Sequence, residues 1–190
     1  MVQQAHAAPL HHPFCSPVQM TQVALTSGST QYNVLLSGIV GNVSSLIFVV
    51  RLQSDVQTNY LSKYNNYQAI STAGIKNAGG SFILGGVVLP AQYIVNTWMP
   101  KLFPGSTADL ETPSASLSGA KNIYAFSFAE KPNDAIVFGH QTGYHYFDGL
   151  HQLQINFAST TSVNQVVDII AYTHKNVVVS PTGIVNVQVA

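Results

Sequence analysis

The chain has 190 residues, and its seven Lys and Arg balance its seven Asp and Glu, for a formal net charge of zero. Charged residues make up 7% of the sequence, compared with about a quarter in a typical soluble domain, and none precedes Arg51. This composition argues against a phosphate-neutralising cationic patch, so we expect no direct binding of nucleic acid, and it favours association with other protein surfaces.

The first segment, Met1–Pro17, contains Pro9, Pro13 and Pro17. Each proline removes a backbone donor, which disfavours both strands and helices. The sequence therefore predicts an extended N-terminal arm over residues 1–17. Residues 18–190 are predicted to form one domain, because 46% hydrophobic residues suffice for a single continuous core.

Strand signals recur from Gln19 onward, with turn residues between them. In two early stretches, residues at alternate positions share one face, namely Thr21, Val23 and Leu25, then Tyr32, Val34 and Leu36. The uninterrupted apolar run Leu46–Val50 predicts a central strand that is buried on both faces.

The middle of the chain gives weaker signals. Tyr60, Tyr64 and Tyr67 recur at helical spacing, so the segment from Asp55 to Ile75 is interpreted as either a short helix or a long loop. The glycine pairs at 79–80 and 85–86 predict tight bends. Ala91–Met99 fits either a strand or one helical segment, and Pro104–Gly119 is rich in loop residues.

The last third alternates most clearly. Tyr124, Phe126 and Phe128, and later Leu153, Ile155 and Phe157, are predicted to face a core, with the intervening residues in water. Asp148-Gly149 predicts a tight hairpin turn. Further strands are predicted at Val166–Thr173, Val177–Val179 and Ile184–Val189. With no βαβ rhythm, the pattern indicates an all-β antiparallel sandwich.

Candidate chemistry is sparse. The sequence lacks a Gly-x-Ser-x-Gly turn and its acidic residues are scattered, so we expect no enzyme activity. His140, His145 and His151 flank the Asp148-Gly149 turn and could approach each other to bind zinc or nickel, but their spacing matches no strong metal motif. We therefore expect no metal and no cofactor. We also expect no transmembrane segment, because no apolar run reaches about 18 residues.

Four segments together resemble a known family. They are Gly38–Arg51, Asn122–Pro132, Tyr144–Leu150, and Asp168–Val179 followed by Gly183. Their order and spacing are similar to those in the double jelly-roll major capsid proteins of large eukaryotic DNA viruses and tailless icosahedral phages. The resemblance is to the C-terminal barrel and covers Val18–Ala190.

This resemblance implies a single antiparallel eight-stranded jelly-roll sandwich that serves as a structural subunit of an icosahedral viral capsid, in the virion shell. Its partners would be copies of itself and other capsid proteins. The family carries two barrels per chain, and this sequence has room for one, so a lattice position would need six copies or pairs from two different chains. Six aromatic residues are expected at subunit interfaces, namely Phe14, Tyr93, Trp98, Phe103, Tyr144 and Tyr146.

Two alternatives stay open at this point. A carbohydrate-binding jelly roll would stack a sugar on exposed Tyr93, Trp98 or Tyr146. A metal-dependent enzyme of the cupin type would hold its ion with His140, His145 or His151 and a carboxylate at the mouth of the barrel.

Overall fold

A computed structural model describes residues 10–57, 67–87, 122–130, 142–179 and 185–189. These residues form one short helix, α1 (Gln53–Gln57), and ten strand segments. The strands are β1 (Leu10–Leu25), β2 (Gln31–Leu35), β3 (Val40–Leu52), β4 (Thr72–Lys76), β5 (Phe82–Val87), β6 (Ile123–Ser127), β7 (His145–Asp148), β8 (Gln152–Asn156), β9 (Gln165–Val179) and β10 (Val185–Val189).

The strands pair as a long hairpin that is rolled into two sheets. β1 pairs with β9 and β3 pairs with β6, β7 and β9 in a six-stranded sheet, whereas β2 pairs with β8 and β4 pairs with β5 and β8 in a four-stranded sheet. Early strands thus lie beside late ones, and successive pairs alternate between the sheets. This is the double Greek-key arrangement of a jelly roll, and every pairing is antiparallel.

The fold class predicted from the sequence is therefore confirmed, whereas the count of eight strands stays a prediction. In the described residues, β6 and β7 pair with different parts of β3, at Ser45–Val49 and Val40–Val43 respectively. β10 adds a further strand beside the end of β9.

The core lies between the two sheets, and β3 crosses its centre as its apolar run predicts. Phe48 is 1% exposed and stacks on Tyr124 and Phe126, at ring-centre distances of 5.3 Å and 6.1 Å. The four-stranded sheet contributes side chains that are also buried, among them Val34, Ile75, Leu153 and Ile155. The opposite face of β3 is only half-buried at Ile47 and Val49, so the prediction of burial on both faces is wrong there.

The prediction that prolines keep residues 1–17 out of any strand is wrong for Leu10–Pro17. These residues are the first half of β1, and they pair in register with β9 from Val179 to Tyr172. Pro13 and Pro17 are four residues apart, so both ring nitrogens lie along the same side of the strand. Because β1 is at the edge of its sheet, that side can face away from β9, and no ladder hydrogen bond need be lost.

The Asp148-Gly149 turn is present, but it does not form a hairpin. Gly149 has the positive φ (80°) that the sequence predicts. However, β7 belongs to the six-stranded sheet and β8 to the four-stranded sheet. The turn thus carries the chain across the sandwich from one sheet to the other, and Asp148 Oδ1 supports it by accepting the Leu150 N–H at 2.9 Å.

Several predicted details of the strands are also corrected. Ala125 and Gln154, expected in water, are buried. Gln154 lies in the middle of β8, which is flanked by β2 and β4, and its side chain donates to Asn156 Oδ1 at 3.1 Å. Ala125 lies in the middle of β6, opposite Ile47 on β3. The predicted strands Val166–Thr173 and Val177–Val179 are parts of one continuous strand, β9.

For the segment from Asp55 to Ile75, the sequence predicted a short helix or a long loop. In the structure, α1 ends near the start of this segment, at Gln57, and β4 begins near its end, at Thr72. β4 was missed because it contains Gly74, which disfavours a strand in isolation. Here Gly74 is required by close packing, since a Cβ would lie 2.6 Å from the Phe82 ring. The predictions for Tyr60, Tyr64, Ala91–Met99 and Pro104–Gly119 lie outside the described residues.

An ion pair on the outer face joins three strands of the six-stranded sheet. Arg51 Nε donates to Asp168 Oδ2 at 2.8 Å, and the two side chains are mostly buried. Asp168 Oδ1 accepts the backbone N–H of Gln22 at 2.7 Å. Gln22 has a positive φ of 54° at an irregularity in β1, so Asp168 also holds an unusual backbone conformation in place.

Candidate assembly surface and histidine pair

Of the six residues predicted at subunit interfaces, three lie in the described part of the chain. Tyr144 and Tyr146 are 51% and 56% exposed, and Phe14 is half-buried on β1 opposite Lys175. Tyr93, Trp98 and Phe103 lie outside the described residues, as does His140. Of the residues on which the two alternatives rest, the structure describes Tyr146 for sugar binding, and His145 and His151 for a cupin-type metal site.

Three strand ends form an extension of the six-stranded sheet, here called the ribbon: Leu10–Phe14, Lys175–Val179 and Val185–Val189. β9 is its central strand, with β1 on one side and β10 on the other. Each residue from Lys175 to Val179 is half-buried, and Val187 is 61% exposed. The ribbon thus has complete backbone pairing along β9 and, among its described side chains, exposes the apolar side chain of Val187.

A second apolar surface, here called the apolar corner, consists of Leu35, Val40 and Leu150. All three side chains are exposed. The turn after β2 and the turn after β7 are adjacent here, because the Leu36 N–H donates to the His151 carbonyl at 2.8 Å and a Cβ at Gly149 would contact Val40. Tyr146 lies nearby, opposite Asn42 on β3.

Beneath this corner, His145 and His151 form a pair. Their Nε2 atoms are 3.3 Å apart, and His151 Nδ1 is 2.9 Å from Asp148 Oδ1. His151 is buried and His145 is half-buried. Burial lowers the pKa of His145, and the charge of His151 lowers it further. The pKa of Asp148 is lowered chiefly by the Leu150 N–H hydrogen bond, with the His151 contact adding to it.

The tautomers follow from these contacts. Because Asp148 is a carboxylate acceptor, His151 carries its proton on Nδ1 and donates it to Asp148. The His151 Nε2 then accepts the Nε2–H of His145. The sequence predicted that these two histidines could approach, although it placed them across a hairpin rather than across the two sheets.

A third histidine, His174 on β9, was not singled out by the sequence. It is 1% exposed, and its Nε2 has no hydrogen-bond partner among the described residues. Burial lowers its pKa, and a hydrogen bond to the Gly143 backbone partly opposes this. The Tyr144 ring lies 6.2 Å from it, edge to face. The Thr-His-Lys sequence around His174 gave no sign of this burial.

Among the described residues, no three His, Cys, Asp or Glu side chains are placed to share one metal ion. The same part of the chain contains no helix that is long and apolar enough to span a membrane.

No protein-family model matches the chain, and no curated protein matches it in sequence. Its fold is similar to solved capsid structures. PBCV-1 VP54, whose crystal structure was fitted into a reconstruction of the virophage Sputnik, superposes with a TM-score of 0.58 and 12% identity over 96% of this chain. The quasi-atomic model of the PBCV-1 capsid superposes with a TM-score of 0.54 and 12% identity over 96% of this chain. The Faustovirus major capsid protein superposes with a TM-score of 0.51 and 10% identity over 92% of this chain.

These comparisons confirm the resemblance to viral jelly-roll capsid proteins as a likeness of fold. The chain covers 52% of each PBCV-1 chain and 34% of the Faustovirus chain, so it spans about half or less of the structures that it matches.

Proposed function

We propose that this chain is a structural subunit of an icosahedral viral capsid and that it assembles into capsomers in the virion shell without catalytic activity. The observation that carries the proposal is the jelly-roll superposition on PBCV-1 VP54 over 96% of the chain. Fold alone does not define function, so the proposal also needs support from the surface of this chain.

The charge distribution supports assembly. The net charge is zero and only 7% of residues are charged, which lowers the electrostatic repulsion between copies. Burying an unpaired ion at an interface costs several kcal/mol, by an order-of-magnitude estimate, and a nearly neutral surface avoids that cost.

Exposed apolar and aromatic side chains supply surfaces for such contacts. The ribbon exposes Val187, and the apolar corner exposes Leu35, Val40 and Leu150 beside Tyr146. Aromatic residues are enriched at the centres of protein interfaces. We propose that Tyr144, Tyr146 and Phe14 contact neighbouring subunits, as do Tyr93, Trp98 and Phe103.

The share of VP54 that this chain matches bears on the composition of a capsomer. This chain covers 52% of the VP54 length. In the two-barrel family that the sequence resembles, three chains form a capsomer, so an equivalent capsomer would contain six sandwiches of this kind.

Sedimentation velocity combined with electron microscopy of the purified chain tests this function. We expect concentration-dependent assembly into ring-shaped capsomers, and Tyr146→Ser should weaken it at least tenfold in subunit concentration. Phe82→Ser is the matched control, because Phe82 is also an aromatic residue about half exposed, at 51%, but is not a predicted interface residue. A chain that stays monomeric at high concentration, alone and with other capsid proteins of its virus, would contradict the proposal.

A further inference from the structure

The histidine pair joins the two sheets of the sandwich. His145 lies on β7 of the six-stranded sheet, and His151 immediately precedes β8 of the four-stranded sheet. Their Nε2 atoms are 3.3 Å apart, their ring centres are 5.3 Å apart, and the ring planes are inclined by 76°. Two imidazole nitrogens from different sheets thus lie side by side at a corner of the molecule.

These distances match those of two histidines on one metal ion. With Zn–N bonds of about 2.0–2.1 Å and tetrahedral angles, the two bound nitrogens lie about 3.3 Å apart and the two ring centres about 5.2 Å apart. The observed distances of 3.3 Å and 5.3 Å would therefore let both nitrogens bind one ion with little rearrangement of the rings.

Asp148 supplies the second element of a metal site. Its Oδ1 accepts from His151 Nδ1 at 2.9 Å, and the Leu150 N–H fixes the same oxygen at 2.9 Å. A carboxylate on the far nitrogen is the usual partner of a metal-bound histidine, because it fixes the tautomer with a free Nε2 lone pair and increases the basicity of the ring.

Aromatic rings hold both imidazoles in place. The Phe147 ring centre lies 4.4 Å from that of His151 and 5.6 Å from that of His145. The Phe128 ring centre lies 5.8 Å from that of His145 and 5.4 Å from that of Phe147, so the three rings pack against one another. Ligands whose positions are fixed by packing lose little conformational freedom when an ion binds, and His145 is half-buried rather than fully buried, so the pair has contact with solvent.

We propose that His145 and His151 form a binding site for a borderline transition-metal ion, with Zn²⁺ as the leading candidate and Asp148 as a positioning residue. No third ligand is placed there by the described residues. Water molecules therefore complete the coordination, and His145 carries its proton on Nδ1 when the ion is bound. The site is independent of the proposed capsid function, since it requires only the fold of one chain.

Isothermal titration of the full chain with Zn²⁺ tests the site. We expect one saturable site, which His145→Gln and His151→Gln each weaken at least tenfold. Asp148→Asn keeps both accepting contacts of its oxygen but loses the charge, and it should weaken binding about 10–100-fold. The double variant His11→Gln/His12→Gln is the control for other histidines and should bind Zn²⁺ as the unmodified chain does.

Nitrogen NMR of the imidazoles gives a readout that needs no variant. Added Zn²⁺ should shift the Nε2 resonances of His145 and His151 and leave that of His174 unchanged. The proposal is overturned if the unmodified chain binds no Zn²⁺ at millimolar concentration. It is also overturned if the His11/His12 variant loses the site, or if folded His145→Gln and His151→Gln chains keep it.

Discussion

Strand β9 is paired along nearly its whole length, yet its two parts have different surroundings. From Gln165 to Thr173 it lies over the core, where Val167, Ile169 and Ala171 are fully buried. From Lys175 to Val179 it belongs to the ribbon, where every side chain is only half-buried. Backbone pairing alone thus does not distinguish the part of the sheet that the fold stabilises from the part that is available to a partner.

The largest expected effect is in the core part. Phe48→Ala should lower the free energy of unfolding by about 3–5 kcal/mol, because it removes a buried ring that packs on two others. Val187→Ala in the ribbon should change it by no more than about 0.5 kcal/mol, as for an exposed side chain. Denaturant unfolding of dilute monomer measures both. Equal losses would mean that the two parts of the sheet do not differ as described.

A substitution on the outer face of the core part of the sheet should cause the next largest loss in the free energy of unfolding. Asp168→Asn removes the charge that pairs with Arg51 but keeps an oxygen for the Gln22 N–H. We expect a loss of about 1.5–3 kcal/mol, the usual range for a hydrogen bond to a charged group. Ser159→Ala, at an exposed site, is the control for chemical denaturation. A loss of less than about 0.5 kcal/mol from Asp168→Asn would exclude a stabilising role for the pair.

The boundary between the two parts contains His174, and stability should depend on pH there. The pKa of His174 is lowered in the folded chain, so the unfolded chain binds more protons and stability rises with pH. The loss of folding stability is absent above the ordinary histidine pKa of about 6.5, and it grows as the pH falls below that value. His145 contributes with the same sign.

Thermal melting between pH 7.5 and pH 5.5 measures this effect, at roughly one unit either side of the ordinary histidine pKa. The unmodified chain should lose stability over that range, and His174→Asn should lose less, since the asparagine amide cannot titrate. Identical pH slopes for the two chains would show that His174 is not the responsible group.

The smallest effect on stability should come from the ribbon, where the effect on assembly should be large. Val187→Asp should leave the monomer within about 0.5 kcal/mol of the unmodified chain but impair self-association, because it places a charge on an exposed apolar surface. Thr160→Asp adds the same charge in the exposed loop after β8, at the end of that strand opposite the apolar corner. Light scattering that falls equally for both variants would point to net charge rather than to the ribbon.

Local patterns predicted the sandwich because its core strands alternate or run apolar, as at Leu46–Val50 and Leu153–Ile155. They failed where a residue's role depends on distant neighbours. Asp148-Gly149 encodes a turn, but nothing local specifies that the chain changes sheet there. Gly74 weakens a strand by its own propensity, and only the Phe82 ring against it explains its presence. The burial of His174 likewise depends on packing by other segments.

Hydrogen exchange along β9, measured on dilute subunit and on assembled material, tests most directly the claim that this sheet is stabilised partly by its own core and partly by neighbours. We predict that amides from Val166 to Thr173 are protected in both samples. Those from Lys175 to Val179 should exchange faster in the free subunit and gain protection on assembly. Equal protection of the two parts in the free subunit, with no change on assembly, would contradict the account.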